Sequence, residues 1–441
     1  MDVILERSHE LKQALVDFVF DAEGELAKAL ETYAAAQSRR GSGDSTQQDL
    51  IIDSFLTAGK VGEKSPLELF IESRPDLDQS DRNLINSWHY SFIGLFAITN
   101  ILPDGFELTN WLTDKGYIVK PNNVQTLQAI SRLKVGEILL TRISPVTDNY
   151  WMFSGPYTIM GKLGKPKLAV AIGNFKENYK SNLYSDAPDL LEEAWQSVAQ
   201  YHQQFVDFFG TDEITLPGYQ LNKKIAEFQE LITEKSLAAA GIDTSKSLAE
   251  VAEAAGIGDE EIKAAAEEFG ADSNAVSQMF NSKSGNSKMV MPKVDLPAEL
   301  KKAEQVTALS HPRWGQMFLP TYSKVQAILA AEDWQSIEGA EKLIRYYIED
   351  KSINAFIWHR LAQQYPTQLE NVLQKYLQRP FRLESDLDAL LQQFNKPIEP
   401  ELPEIASVPI HLHNLFQEAL GEVNKSKPKG KGQKKPAKGF Q

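Results

Sequence analysis

The chain has 441 residues, of which 42% are hydrophobic and 24% charged, with no cysteine and a formal charge of −14. That length exceeds the roughly 250–300 residues that one core reaches, so two to four globular domains are expected. The lack of Cys excludes disulfides, Cys-ligated zinc, iron–sulfur clusters and thiol nucleophiles, and no run approaches the ~18–20 apolar residues of a membrane span.

In chain order, residues 3–36 read as one long amphipathic helix, with Ile4, Leu11, Leu15, Phe18, Leu26 and Tyr33 at helical spacings. It is expected to pair with a copy of itself or to pack on 46–90. Arg39 to Ser45 break it with turn-forming residues. Shorter helices are predicted at 47–58 and 66–73, and another at 81–90 capped by Ser80 or Asp81. From Ser91 the pattern turns to short strands at 92–102, 106–112, 117–119, 136–143, 150–153 and 157–160, with an excursion at 124–133. The run 168–172 fits a strand or a helix and is read as a strand.

Helical period returns from Ala187, in a helix ending near Gly210 and another over 217–240. Three short helices are then punctuated by Gly256, Gly258 and Gly270, and polar residues beginning at Asn281 mark a linker. Helices are predicted from Pro297 to about Phe394, with Trp314, Leu319, Val325, Trp358 and Leu361 among the core candidates. After a Pro/Glu-rich extended segment comes a last helix at about 413–422.

The fold class is therefore α+β, mostly α-helical, with a small central antiparallel β-sheet or half-open barrel. The expected organisation is a helical N-terminal domain (1–90), a β module (91–182), a helical region with a three-helix unit (183–280) and a linker (281–296). A helical C-terminal domain (297–395) and an extended, finally Lys-rich end (396–441) complete it.

The central block carries a resemblance. Trp88-His89-Tyr90-Ser91-Phe92-Ile93-Gly94-Leu95-Phe96, Lys134 to Ile143 and Trp151-Met152-Phe153-Ser154-Gly155-Pro156 resemble a module in uncharacterised bacterial, cyanobacterial-like proteins, seen beside SEC-C zinc-binding tails. The resemblance covers about a sixth of the chain and implies no activity. Zinc binding does not carry over, since such a tail needs cysteines.

Catalytic templates fail on single residues. His9-Glu10-Leu11-Lys12-Gln13 has Gln where a zinc protease needs its second His. Gly59-Lys60-Val61-Gly62-Glu63-Lys64-Ser65 puts Glu63 where a phosphate loop needs Gly. His411 and His413 would share one face of a strand, but no third ligand is near in sequence. No cofactor is expected. Residues 247–269 imitate a helix-turn-helix, with Ser247 and Glu250 as a capping box, yet Asp259, Glu260, Glu261, Glu267 and Glu268 surround Lys263. That charge opposes DNA and favours a structural or protein-binding unit.

Two basic features remain. Lys162, Lys165 and Lys167, spaced by glycines on a loop of the β module, could clamp a phosphate; a solvated hairpin is the plain alternative. The terminal Lys425, Lys427, Lys429, Lys431, Lys434, Lys435 and Lys438 have no acid among them. They account for +7 of the −14, so residues 1–424 carry −21. An acidic body repels polyanions and a Lys-rich tail attracts them.

The expectation is a non-catalytic accessory or assembly protein that binds partner proteins. Its tail docks on a polyanion, RNA or the ribosome first, or serves only as a solubilising end. An enzyme or ligand-binding protein using 162–167 is the alternative, and a DNA-binding regulator through 247–269 the next. The start, Met1-Asp2-Val3-Ile4-Leu5-Glu6, lacks the basic region of an export signal and predicts a cytoplasmic location.

Overall fold

A computed structural model describes residues 2–38, 45–121, 132–239 and 289–426. The break at 39–45 falls almost wholly outside the described residues, as do most of the 124–133 excursion, the 247–269 unit, the 281–288 part of the linker and the tail beyond Ser426. Two compact units form: Met1–Leu191 with Pro409–Gln441, and Glu192–Val408.

The first unit begins with α1 (Val3–Phe20) and α2 (Glu25–Ser38). The single helix expected over 3–36 is thus two, because the chain turns at Gly24, whose φ of +72° an L side chain adopts only under strain. Asp2 caps α1, its Oδ1 accepting from the Leu5 amide at 3.2 Å. Leu11, Leu15 and Val19 face inward, where they share a core with Phe55 and Leu56 of α3 (Ser45–Ala58) and Leu67 and Phe70 of α4 (Pro66–Ser73). Ile85 of α5 (Gln79–Ser87) and Trp88 complete that core, so α1 packs on the 46–90 region. The cap of α5 is Asp78, accepting from the Asp81 amide at 2.8 Å, rather than Ser80 or Asp81.

The five strands β1 (Phe92–Leu102), β2 (Gly105–Asn110), β3 (Gly116–Lys120), β4 (Ile138–Pro145) and β5 (Trp151–Gly161) close into a barrel in the order β1-β2-β3-β5-β4. The segments expected at 150–153 and 157–160 are one bent strand, β5, with register shifts against β4. Strands of alternating direction cannot close a ring of five without one like-directed pair. That seam is β3 with β5, where Val119 pairs with Trp151 and Lys120 with Met152; the central module, expected as an antiparallel sheet or a half-open barrel, is a closed barrel with this one parallel pair. Phe92, Phe96, Leu108, Leu139 and Phe153 fill it. A clasp on Asp186 fastens the following segment: its Oδ2 accepts from Asn110 (3.0 Å), Thr113 (2.8 Å) and Tyr117 (2.7 Å).

Residues 168–172 belong to α6 (Lys165–Asn178), not to a strand. The β-branched run is locally strand-like, but Leu168, Ala171, Ile172 and Phe175 are the buried positions, and that spacing is helical. The unit ends with α15 (Ile410–Ser426), which packs against α6.

The second unit holds most of α7 (Pro188–Phe209), then β6 (Glu213–Leu216), α8 (Gly218–Ala239) and the short α9 (Ala298–Lys302). The stretch after Pro297 is not helical throughout. It contains the hairpin β7 (Val306–His311) and β8 (Gly315–Leu319), turned at Gly315 (φ +70°) and paired with β6 through β7. Trp314 and Leu319, whose apolar side chains fit a helix as well as a strand, lie in the turn and second strand of this hairpin. Beyond it, α10 (Tyr322–Ala330), α11 (Ala340–Glu349), α12 (Ala355–Gln364), α13 (Pro366–Leu377) and α14 (Leu383–Gln393) gather Tyr322, Tyr347, Trp358, Leu361 and Leu373 into one core. Lys396, 5% exposed, donates to the carbonyls of Tyr347 (2.8 Å) and Asp350 (2.5 Å), covering the open end of α11. Burial pulls its pKa down to about 8.

Candidate functional site

Two features of the first unit combine open space with unusual side chains. The first is a groove of about 700 Å³ between the start of α1, α5 and the β4–β5 turn. Val3 (75% exposed), Ile4 (49%) and Tyr90 (75%) line it with Leu84 and Val146. Its position follows from the seating of α1: Asp2, besides capping the helix, takes a hydrogen bond from Lys120 of β3 at 3.0 Å. Across the groove Arg7 grips Asp81 through Nε (3.0 Å) and Nη2 (2.6 Å), while its Nη1 meets Glu10 at 2.9 Å. Arg7 is thereby held by two carboxylates, and exposed Asp148 adds another negative charge to the lining.

The second feature is a buried charge cluster between α1, α3 and the barrel. Asp53 receives Lys12 Nζ at 2.9 Å on Oδ1, Ser154 Oγ at 2.9 Å on the same oxygen, and Arg142 Nε at 3.0 Å on Oδ2. Arg142 also donates from Nη2 to Thr57 Oγ1 at 2.5 Å and to the Ser91 carbonyl at 3.3 Å. The three charged side chains are at most 6% exposed. Burial lowers the Lys12 pKa, with Asp53 opposing. Burial works to raise the Asp53 carboxyl, but Lys12 and Arg142 hold it below its usual value. Two bases around one acid leave an excess of cationic groups, and Arg142 lines a cavity of about 250 Å³.

None of these cluster residues stood out on motif grounds. Two of them interrupt apolar runs, Asp53 between Ile52 and Phe55 and Arg142 between Leu140 and Ile143, and Lys12 falls beside Leu11 and three residues before Leu15 on the apolar stripe of its helix. A charge amid core positions was the readable signal.

The sequence-predicted residues lie elsewhere. Lys162 follows β5, and exposed Lys165 and Lys167 stand in the first turn of α6, so the glycine-spaced loop joins a strand to a helix. Lys165 Nζ is 2.9 Å from Glu418 of α15. Gly164 caps α6 without a side-chain hydrogen bond. Lys425 falls in the last turn of α15, while its side chain and Lys427 to Lys438 lie outside the described residues. His411 and His413 are on α15 and not on a strand; two helical positions apart they point about 200° from one another. His411 Nε2 lies 2.8 Å from the Trp111 carbonyl, and burial lowers the His413 pKa.

The phosphate-loop lookalike is closed by its own side chains. Ser65 and Glu68 form a capping box on α4, Glu68 taking the Ser65 amide at 2.7 Å, where a phosphate would sit. Lys64 pairs with Glu72 at 2.7 Å.

In the second unit, His202 Nδ1 lies 3.2 Å from Ser310 Oγ, a spacing suited to a base and a nucleophile. Ser310 is only 1% exposed, however, and Asp212, whose charge acts on His202, takes two hydrogen bonds from Arg360 at 2.7 and 2.9 Å. The arrangement fastens α7 to β7. Among the described residues no three His, Asp or Glu converge as a metal ion would require, and no helix is long and apolar enough to cross a membrane. No family model, curated protein or solved structure matches this chain.

Proposed function

We propose that this chain is an accessory protein that docks on a partner protein through the α1–α5 groove and does no chemistry of its own. The observation that carries the reading is the exposure of Val3, Ile4 and Tyr90 around one groove. Apolar side chains concentrated at one place mark an interaction site far more than scattered ones do. The occupant is an amphipathic helical segment with an apolar face and basic flanks. Charge argues for the basic flanks: residues 1–90 contain 17 acids against 9 bases, and Asp148 stands in the lining.

The test is capture from the native cell with the full chain and with the double variant Ile4→Asp, Tyr90→Asp, combined with a photo-crosslinker at position 90. The reading expects a protein that the variant loses, that binds when purified, weakens with salt and crosslinks through a basic segment. Equal capture by the variant would overturn it. So would a crosslink to a second copy of the chain or to an acidic segment.

In the same reading, the lysines of the tail hold the complex on RNA or the ribosome; composition supports this part. Deleting 427–441 removes six lysines. At about −0.7 per neutralised phosphate on single strands, the lost log–log salt dependence approaches about −4. Unchanged ribosome co-sedimentation after the deletion would remove the tether.

A further inference from the structure

The 250 Å³ cavity beside the buried cluster has a composition of its own, separate from the docking groove. Among the described residues, Arg142 supplies its only charged lining side chain, and no Asp or Glu lines it. Leu50 and Ile51 of α3 and Ile93 of β1 form apolar walls, while Ser54, Asn178 and Asn182 add hydroxyl and amide groups.

The hydrogen bonds of Arg142 show which edge of the guanidinium has capacity left. A guanidinium carries five N–H donors. Nε is committed to Asp53, and Nη2 to Thr57 and the Ser91 carbonyl. Nη1, with two hydrogens, makes a single contact to Ser54 Oγ at 3.5 Å, the outer limit of a hydrogen bond. Ser54 Oγ in turn sits 2.8 Å from the hydroxyl of Tyr33, another residue of the lining. The fold therefore presents a cationic edge and a hydroxyl pair at a small cavity whose remaining walls include hydrocarbon. Asp53 is engaged by both cations and does not line the cavity.

We infer that this cavity binds a small carboxylic acid with a short, branched apolar body. Its carboxylate meets Arg142 Nη1 and Ser54 Oγ, and its hydrocarbon lies against Leu50, Ile51 and Ile93. Size sets the upper limit: at ~30 Å³ per water-sized volume the space holds about eight non-hydrogen atoms. Chemistry sets the class. A planar carboxylate suits a guanidinium edge, whereas a phosphate dianion would meet a single cation, leaving half of its charge unpaired.

The probe is isovalerate, with isovaleramide as its uncharged isostere and inorganic phosphate as the alternative anion, titrated calorimetrically into the full chain. Isovalerate is expected to bind saturably, one per chain, with isovaleramide and phosphate at least about tenfold weaker. Ile51→Trp fills the space from a half-buried wall position and leaves the Asp53 pairs in place, so it should abolish binding. Ser54→Ala, which removes one donor without adding bulk to the lining, should weaken it about tenfold and stands in should Ile51→Trp fail to fold. Circular dichroism of both variants separates lost binding from lost structure. Four results would overturn the assignment: no saturation up to about 10 mM, equal affinity for isovaleramide or phosphate, unchanged binding in a folded Ile51→Trp protein, or unchanged binding in a folded Ser54→Ala protein.

Discussion

Replacing Asp53 by Asn tests the electrostatics of the helix–barrel junction. Asn keeps the shape and removes the charge that both Lys12 (2.9 Å) and Arg142 (3.0 Å) use. With side chains 6% and 2% exposed, neither cation can turn to solvent without opening the core. Removing one partner of a buried pair costs about 3–5 kcal/mol, chiefly the penalty on the charge left behind. For a unit of this size each kcal/mol lowers Tm by about 2–4 °C, so a drop of roughly 6–20 °C is expected. Lys12→Met should behave differently. It leaves the Asp53–Arg142 pair whole and relieves a desolvated ammonium, for a net change within about 1 kcal/mol.

The pH dependence separates the two groups further. Lys12 lies below its usual 10.5 when folded, so in the window up to 10.5 the unfolded chain binds more protons and stability rises with pH. Lys12→Met should lose that rise. Asp53 lies below its usual 3.8, so its contribution is complete above 3.8 and drains away as pH falls through the folded value. Scanning calorimetry of the full chain reads all three quantities. An Asp53→Asn protein within about 1 kcal/mol of wild type, or a Lys12→Met protein less stable than Asp53→Asn, would refute this account.

Lys396→Met should cost about 2–3 kcal/mol in urea unfolding of the second unit, since the carbonyls of Tyr347 and Asp350 lose a charged donor; a neutral result would show that water replaces it. Gly24→Ala should cost about 1 kcal/mol by strain alone, because nothing lies within 4 Å of an added Cβ. Gly24→Asn, which tolerates positive φ, should cost less, and equal losses would refute the strain argument.

The legible parts of the fold were those with strong local patterns. Strand β1 and helix α4 fall on their predicted limits because a β-branched and aromatic run ended by Pro103-Asp104-Gly105, and a Ser–Pro start with Glu three residues on, leave little ambiguity. The break at Gly24 was hidden because apolar residues on either side keep helical spacing, so only the backbone angle reveals it. Residues 168–172 misled through β-branched content, and the β7–β8 hairpin through apolar residues counted without regard to the turn at Gly315. Barrel closure depends on strand count and pairing, which no single segment encodes. The buried charge cluster is legible only in part: a charge amid core positions marks its members singly, but Lys12, Asp53 and Arg142 come from three distant segments, and folding alone makes them neighbours.

The first unit is written in two pieces, with the second inserted between Leu191 and Pro409. Leu412, Leu415 and Ala419 of the returning helix are buried in it. During synthesis, then, the earlier piece must wait for more than two hundred intervening residues before its last helix can arrive. An expression fragment stopping at Leu191 would lack α15, its packing on α6 and the Lys165–Glu418 ion pair. Fragments meant to isolate the barrel should therefore carry residues 409–426 on a grafted linker, and those without them should be the ones that aggregate.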